Sequence, residues 1–176
     1  MRKLKLDELG RDSVADFQDR QKLPLVVVLD NIRSAMNVGS FFRTGDAFLV
    51  EKILLCGITA TPPNREITKT AIGATESVQW EYHENISIAL QKLKEAGYRL
   101  IGIEQTDVSI QLNGFKISPD ERYALVFGNE VEGVSDEALA HVHLCLEIPQ
   151  EGTKHSLNVS VCGGIVLWEF YLALNK

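Results

Sequence analysis

Short, continuously apolar segments recur along the chain and predict buried β-strands. The clearest is residues 25–29, a β-branched run that follows Pro24 and ends at the polar pair Asp30-Asn31. A run with apolar residues on both of its faces is typical of a strand inside a parallel sheet. The same pattern predicts strands at residues 52–56, 98–103, 123–127 and 143–148, and a weaker edge strand at 78–82. At most six strands are predicted.

Helical patterns separate these strands. They lie at residues 38–48, 86–96 and 135–142, with Gly97 expected to end the second helix and Ser135 to cap the third. The alternation of strand and helix predicts an α/β fold, with a mostly parallel sheet and helices on both faces. In such folds ligands bind at the carboxyl ends of the strands, so those loops are the first place to search for a site.

The two terminal segments differ in character. Residues 157–174 are apolar nearly all round, and a helix of that kind must be covered on most sides. A single small domain has limited capacity to surround it, so we expect a second subunit to cover part of it in a two-fold dimer, with an ordinary core helix as the alternative. Residues 1–22 have mixed charge and few apolar side chains, which predicts a surface helix or a mobile arm without a role in the core.

Length and charge narrow the class of protein. The 176 residues suit one domain, which we place at residues 23–176 after an N-terminal extension of residues 1–22. The net charge of −6 excludes a uniformly basic nucleic-acid-binding surface but allows a local basic cleft. Residues 1–88 carry 11 basic and 12 acidic side chains, whereas residues 89–176 carry 7 and 12. A polyanionic partner is therefore expected to contact the first half.

Cysteine usage and the N-terminus indicate the compartment. Cys56, Cys145 and Cys162 show no Cys-x-x-Cys spacing, so neither a disulfide framework nor a metal site is predicted. No apolar signal peptide and no bilayer-spanning run is visible in the sequence. We therefore expect a cytoplasmic protein that does not bind membranes.

The loop after the first strand has the residues of an anion site. Asn37 is placed to cap the following helix, and Gly39 and Ser40 would leave the first-turn amides approachable. Arg43 follows on that helix, and its planar guanidinium suits phosphate. A capped helix with a solvated arginine is the alternative interpretation.

Two later loops add polar groups at the same predicted edge of the sheet. Residues 127–135 contain Gly128, Asn129, Glu130 and Gly133, an acidic loop that favours a cationic or neutral ligand and lacks the glycine-rich phosphate fingerprints. A Rossmann-type nucleotide enzyme is therefore disfavoured. Residues 148–160 lead into the last helix and contain Ser156 and Asn158, which suit a helix cap or a substrate hydroxyl. Convergence of three such loops predicts a binding crevice.

Taken together, these loops resemble the three motifs of the SpoU/TrmH-type RNA ribose 2′-O-methyltransferases, a branch of the SPOUT class. The segments that carry the resemblance are Asn37-Val38-Gly39-Ser40 with Arg43, Phe127-Gly128-Asn129-Glu130 with Gly133, and Ile148-Pro149 with Ser156-Leu157-Asn158-Val159-Ser160. The resemblance runs from about Leu25 to the C-terminus. It implies a deep C-terminal trefoil knot, an S-adenosylmethionine site in that knot, and a homodimer through the terminal helix.

Transferred residue by residue, the resemblance assigns roles to two groups of side chains. It makes Arg43 the main catalytic candidate, supported by Asn37, Glu130 and Asn158. Cofactor contacts, mostly through backbone groups, are assigned to a second set: Glu104, Gly128, Asn129, Gly133, Ile148, Pro149, Ser156 and Leu157.

The substrate class follows from the implied chemistry. RNA has a ribose 2′-hydroxyl and DNA does not, so RNA is expected as the partner, with tRNA favoured and rRNA second. A non-catalytic RNA-binding dimer of the same fold is the alternative hypothesis. Basic side chains are the candidates for holding the RNA: Arg2, Lys3, Lys5, Arg11, Arg20 and Lys22, then Arg33, Arg43, Arg65 and Lys69.

Overall fold

The computed structural model describes residues 1–175, and of residues 6 and 7 it describes only the backbone. The helices of the described part are α1 (Val14–Asp19), α2 (Ala35–Ala47), α3 (Arg65–Ala71), α4 (Ala74–Ser77), α5 (Ile86–Glu95), α6 (Asp136–Leu139) and α7 (Val159–Leu174). The strands are β1 (Leu25–Asp30), β2 (Lys52–Cys56), β3 (Gln79–His83), β4 (Tyr98–Ile103), β5 (Ile110–Gln111), β6 (Arg122–Phe127) and β7 (Leu144–Glu147). Short 3₁₀ turns lie at Leu6–Leu9 and Leu112–Gly114.

The seven strands form one sheet in the order β3-β2-β1-β6-β4-β7-β5, and every pair of neighbours is parallel. The predicted α/β fold with a parallel sheet is confirmed, and all six predicted strands are present. The seventh strand, β5, has only two residues and gave no hydrophobic pattern to detect. No helix within residues 1–175 is long and apolar enough to cross a bilayer.

Helices cover both faces of the sheet, as predicted. The β1 run alternates between two cores, because Val27 and Leu29 face one while Val26 and Val28 face the other. Helices α1 to α4 and α7 pack on the first face, and α5 and α6 pack on the second. This alternation explains why the strand is fully buried along its whole length.

Part of the N-terminal extension belongs to the core, contrary to expectation. Residues 14–19 form α1, which Ser13 caps by accepting a hydrogen bond from the Asp16 amide. Phe17 on this helix is only 7% exposed and packs in the same core as β1. The expectation that residues 1–22 have no core role is therefore wrong for α1, which buries Phe17 and whose Gln18 side chain donates a 2.8 Å hydrogen bond to the Glu76 carbonyl oxygen.

Helix α2 begins earlier than the sequence predicted. Its N-cap is Ser34, whose hydroxyl accepts a hydrogen bond from the Asn37 amide, so Asn37 lies inside the helix and does not cap it. Gly39 also has a different role from the one expected. A Cβ there would lie 2.0 Å from the Thr70 hydroxyl and 2.5 Å from the Ile67 carbonyl oxygen, so glycine allows α3 to pack closely on α2.

Helix α7 has a close contact and an open face. Gly163 lies against Phe41 of α2, where a Cβ would be 2.3 Å from the ring, whereas a Cβ on Gly164 would meet nothing within 4 Å. An exposed apolar face runs along the helix and the loop before it, formed by Leu157, Val161, Ile165, Trp168 and Leu172. Within this chain, therefore, the helix is covered on one side only.

Candidate functional site

Loops at the carboxyl edge of the sheet converge on one region. The loops after β1, β6, β4 and β7 follow strands that are neighbours in the sheet, so their first residues lie side by side. Adjacent strands are about 4.8 Å apart, which brings side chains from these loops within hydrogen-bonding reach of each other. This is the edge at which the sequence predicted a ligand site.

Residues 128–133, here called the glycine loop, fold back on themselves. Asn129 and Gly133 exchange two backbone hydrogen bonds of 2.9 Å, and the Asn129 Oδ1 accepts from the amides of Val131 and Glu132. A Cβ on Gly128 would lie 2.1 Å from the backbone of Gly133, so glycine is required by the turn itself. The resemblance assigns this glycine a cofactor contact, and the structure shows that the turn requires it in addition.

Glu104 anchors the glycine loop to the end of β4. One carboxylate oxygen accepts a 2.9 Å hydrogen bond from the Val134 amide, and the other accepts one of 2.9 Å from the Gln105 amide. Gly133 has a left-handed φ of +74°, and a Cβ there would be 2.3 Å from the Glu104 carboxylate. Glu104 therefore sets the position of the loop through backbone groups.

Glu130 joins the glycine loop to the start of α2. Its carboxylate accepts hydrogen bonds from the backbone amides of Arg33 (2.9 Å) and Ser34 (3.0 Å) and from the Asn37 side-chain amide (2.8 Å). Burial alone would raise the pKa of Glu130, but these hydrogen bonds outweigh it and hold the pKa below its usual value. The predicted anion site at this helix start therefore binds the carboxylate of Glu130 and not an external phosphate.

Asn37 continues the hydrogen-bonded chain to the last helix. Its side chain is buried, and its Oδ1 accepts a 3.2 Å hydrogen bond from the Asn158 side-chain amide. Asn158 is the N-cap of α7, because its own Oδ1 accepts from the amides of Ser160 and Val161. Three of the four predicted catalytic residues, Glu130, Asn37 and Asn158, thus form one network that joins the glycine loop, the first turn of α2 and the start of α7.

Arg43 is placed apart from this network. It is exposed on α2, on the outward face that also carries Met36 and Ser40, and it does not line the cavity described below. Asn37 lies on a different face of the same helix, since six residues in a helix correspond to about one and two-thirds turns. Within a single chain, therefore, Arg43 does not join the other three predicted catalytic residues.

A cavity of about 470 Å³ opens beside the glycine loop. That volume is within the range of small-molecule and cofactor sites. Seven of the eight predicted cofactor contacts line it, and Pro149 is the exception. The cavity is lined by Ile103, Glu104, Gln105, Phe127, Gly128, Asn129, Glu130, Val131, Glu132, Gly133, Leu146, Glu147, Ile148, Gln150, His155, Ser156, Leu157, Asn158, Val159 and Cys162.

The chemistry of the cavity wall is divided between an apolar and an acidic part. Ile103, Phe127, Leu146 and Ile148 give an apolar surface, whereas four lining glutamates give negative charge, and the lining contains neither lysine nor arginine. Burial raises the pKa of the Cys162 thiol to about 11, so it is neutral at physiological pH. This wall suits a ligand that combines a flat apolar group with positive charge.

Sequence reasoning missed Gln105 and His155. They follow β4 and precede α7, respectively, and the Gln105 side-chain amide donates a 3.1 Å hydrogen bond to the His155 carbonyl oxygen at the cavity. Neither residue belongs to a recognisable motif. Only their position just beyond a predicted strand and before a predicted helix could have indicated them.

Comparison with known proteins agrees with this geometry. The model of the SpoU rRNA Methylase family matches residues 24–168. The chain is 34% identical over 146 residues to a 23S rRNA (guanosine-2′-O-)-methyltransferase, RlmB, of Neisseria meningitidis, which covers 83% of this chain and 57% of the relative. The chain thus spans less than two thirds of that relative's length.

Solved structures share the fold over most of the chain. A TrmH/SpoU tRNA modifying enzyme of A. aeolicus superposes with a TM-score of 0.80 at 26% identity, covering 92% of this chain and 80% of that chain. An AdoMet-bound rRNA methyltransferase of Sinorhizobium meliloti gives 0.79 at 25% identity, covering 90% and 60%. The resemblance found in the sequence is confirmed, and the chain belongs to the SpoU rRNA Methylase family.

Proposed function

We propose that this chain is an S-adenosylmethionine-dependent methyltransferase that acts on a ribose 2′-hydroxyl of RNA. The observation that carries the proposal is the network of Glu130, Asn37 and Asn158 beside a cavity of cofactor size. Family membership, the name of the Neisseria relative and the AdoMet-bound Sinorhizobium structure support the same reaction.

The cavity fits the proposed cofactor. S-adenosylmethionine has a flat adenine, a cationic sulfonium and an ammonium group, which match the apolar surface and the lining carboxylates. When bound, it supplies an electrophilic methyl group. The residues proposed to hold it, mainly through backbone groups, are Gly128, Asn129, Gly133, Ile148, Pro149, Ser156 and Leu157, with Glu104 fixing the loop around them.

Residues of this chain position the ribose hydroxyl and provide charge beside it. Glu130 is held ionised by backbone amides, and it orients the Asn37 amide, which in turn holds Asn158. Preorganised polar groups of this kind align a hydroxyl without reorganisation during the reaction. The planar guanidinium of Arg43 suits a phosphate, so we assign it to the RNA phosphate and to stabilisation of the developing alkoxide. The hydroxyl proton leaves to phosphate or water.

A homodimer would bring Arg43 of one subunit to the network of Glu130, Asn37 and Asn158 in the other subunit. The exposed side chains of Val161, Ile165, Trp168 and Leu172 are spaced by four, three and four residues, so they form one continuous apolar face on α7. Helix α2, which carries Arg43, packs directly against α7. We propose a two-fold dimer through this face, for which Trp168→Lys is expected to give monomers by light scattering while the chain stays folded by circular dichroism.

The C-terminal segment is proposed to form the trefoil knot that the family resemblance implies. The order of β1, β6, β4 and β7 in the sheet supports this, together with the placement of residues 148–158 against the ends of both β4 and β6. The hydrogen bond from Gln105 to His155 ties that segment to the loop after β4.

Among RNAs, tRNA is proposed as the substrate, with rRNA second. The family includes a tRNA modifying enzyme of A. aeolicus and an rRNA methyltransferase of Neisseria meningitidis, so both kinds of RNA are substrates of relatives, and the order follows the breadth of the family. Residues 1–22 are proposed as an RNA-contacting extension and residues 23–176 as the methyltransferase domain, acting in the cytoplasm. Residue 176 lies outside the described part of the chain.

Calorimetry with S-adenosylmethionine, followed by label transfer to RNA and mass mapping of the product, tests the proposal. The expected result is cofactor binding and a single 2′-O-methylated nucleotide. Cofactor binding without transfer to any RNA would instead support the non-catalytic RNA-binding dimer. Arg43→Lys is expected to lower turnover, and near-normal turnover with unchanged RNA affinity would contradict the role given to its planar guanidinium.

A further inference from the structure

Exposed apolar side chains continue the carboxyl edge of the sheet beyond the proposed ribose site. Ile58, just after β2, is 68% exposed, and Tyr82, near the end of β3, is 48% exposed. Because the sheet order is β3-β2-β1-β6, Tyr82, Ile58, Arg33 and Glu130 come from four successive strands or the loops that follow them. These positions form a row that leads from the cavity mouth to the edge of the sheet.

The row is rigidly connected to the network that holds Glu130. The Ile58 amide donates a 3.1 Å hydrogen bond to the Asn31 Oδ1, and the Thr59 hydroxyl accepts a 2.9 Å hydrogen bond from the Ile32 amide. The next two amides of that loop, from Arg33 and Ser34, bind Glu130. Ile58 is therefore fixed in position relative to Glu130, although its own side chain is exposed.

Tyr82 is held in the same assembly. Its hydroxyl donates a 3.0 Å hydrogen bond to the carbonyl oxygen of Gly57, the residue before Ile58. A Cβ on Gly57 would lie 2.2 Å from the Asn31 Oδ1, so the backbone at this point is closely packed. The result is a preorganised apolar surface, here called the Ile58–Tyr82 shelf.

Spacing and charge favour a nucleotide of the RNA substrate as the occupant. The ends of β2 and β6 are two strand intervals apart, about 10 Å, a distance that one or two nucleotides span. Arg33, on the loop that follows the strand between them, has an exposed side chain that suits a phosphate. The two exposed side chains of the shelf, Ile58 and Tyr82, are uncharged and offer no cationic partner for a phosphate. An uncharged base is the part of a nucleotide that matches such an apolar surface.

We propose that the Ile58–Tyr82 shelf stacks against a base that flanks the methylated nucleotide, while Arg33 contacts the intervening phosphate. This inference rests on the proposed function and adds a determinant of RNA choice. Base stacking on aromatic side chains is sequence-tolerant and contributes enough affinity to be measured on substitution. The shelf thereby selects RNA in which a neighbouring base is unstacked, as in a loop.

The test compares Ile58→Ser and Tyr82→Ala with wild type, using the full chain, labelled S-adenosylmethionine and total RNA from cells that lack this gene. We expect kcat/KM for RNA to fall by about 5- to 100-fold in each variant. Cofactor affinity should stay unchanged in both variants, because neither side chain lines the cavity. Ile58→Ser should also keep the wild-type melting temperature, whereas Tyr82→Ala loses the hydrogen bond to Gly57 and should melt slightly lower. Tyr82→Phe keeps the ring and should retain most activity. Ile88→Ser is the matched control, since Ile88 is 57% exposed on α5 and should behave as wild type.

Salt dependence separates the two parts of the proposal. Arg33→Gln should reduce the slope of log affinity against log salt by about 0.7–0.9, whereas Ile58→Ser should lower affinity without changing the slope. RNA kinetics within twofold of wild type for both Ile58→Ser and Tyr82→Ala would overturn the inference. A loss of cofactor affinity as large as the loss of kcat/KM would also overturn it, because the variants would then act through the cavity. If the wild type transfers no methyl group, the proposed function fails, and filter binding of the same RNA to these variants still decides the role of the shelf.

Discussion

Replacement of Gly128 by alanine tests whether the packing of the glycine loop controls cofactor affinity. A Cβ at this position would lie 2.1 Å from the Gly133 carbonyl carbon and 2.1 Å from the Val134 nitrogen. Carbon atoms in contact are ordinarily about 3.5–4.0 Å apart. The atoms in the way are backbone, so the loop must open by more than one ångström.

Such a movement breaks identifiable hydrogen bonds. The loop is closed by two bonds of 2.9 Å between Asn129 and Gly133, and a third of 2.9 Å ties Val134 to the Glu104 carboxylate. At about 1 kcal/mol for each neutral bond and about 2 kcal/mol for the charged one, their loss costs about 4 kcal/mol. A domain of 5–15 kcal/mol stability survives this, with a melting temperature lowered by about 10 °C.

Thermal denaturation and calorimetry with S-adenosylmethionine measure the two consequences. We expect Gly128→Ala to melt at a lower temperature and to bind the cofactor at least about tenfold more weakly, because the loop lines the cavity. Gly152→Ala is the matched control, since a Cβ there meets nothing within 4 Å. A Gly128→Ala protein that melts within about 2 °C of wild type and binds the cofactor normally would refute the packing argument.

Three further substitutions test other parts of the structure. Glu130→Gln should lower the free energy of unfolding by about 1 kcal/mol above about pH 5. Because the pKa of Glu130 is depressed in the folded protein, this loss should shrink as the pH falls through that pKa. A loss that is independent of pH in urea titrations would contradict this prediction. Gly163→Ala should lower the melting temperature because the new Cβ clashes with Phe41, whereas Gly164→Ala should raise it slightly through higher helix propensity. Equal changes of melting temperature in the two variants, measured by calorimetry, would be inconsistent with the packing of α7. Phe17→Ala should cost about 3 kcal/mol in urea unfolding, and a loss below about 1 kcal/mol would mean that α1 is not anchored in the core.

The elements that the sequence predicted are those that are buried most completely. Strands β1, β4 and β6 lie inside the sheet, so both of their faces are apolar and the pattern is unambiguous. Helix α3 was not predicted because its buried positions are only Ile67 and Ala71, too few for a periodic signal. The structure shows that Asn64 caps this helix by accepting hydrogen bonds from the amides of Glu66 and Ile67, a role that the sequence analysis did not assign.

Prediction of the candidate site from the sequence was limited in a different way. The sequence identified Glu130, Asn37 and Asn158 as polar groups at one edge, and the structure brings them together. It did not reveal that Glu130 fills the anion site at the start of α2, because that pairing joins residues almost 100 positions apart. Arg43 does not join this network within one chain, and its assignment to the site comes from the family resemblance.

The order in which the cavity lining is synthesised has a consequence for the nascent chain. Residues 103–105 and 127–133 leave the ribosome before residues 146–162, which close the cavity. Domains fold as their segments emerge, so β1, β2, β4 and β6 become available while the pocket still lacks a wall. A ligand of this cavity therefore stabilises the chain only after residues 146–162 have docked, and its binding during translation would report that step.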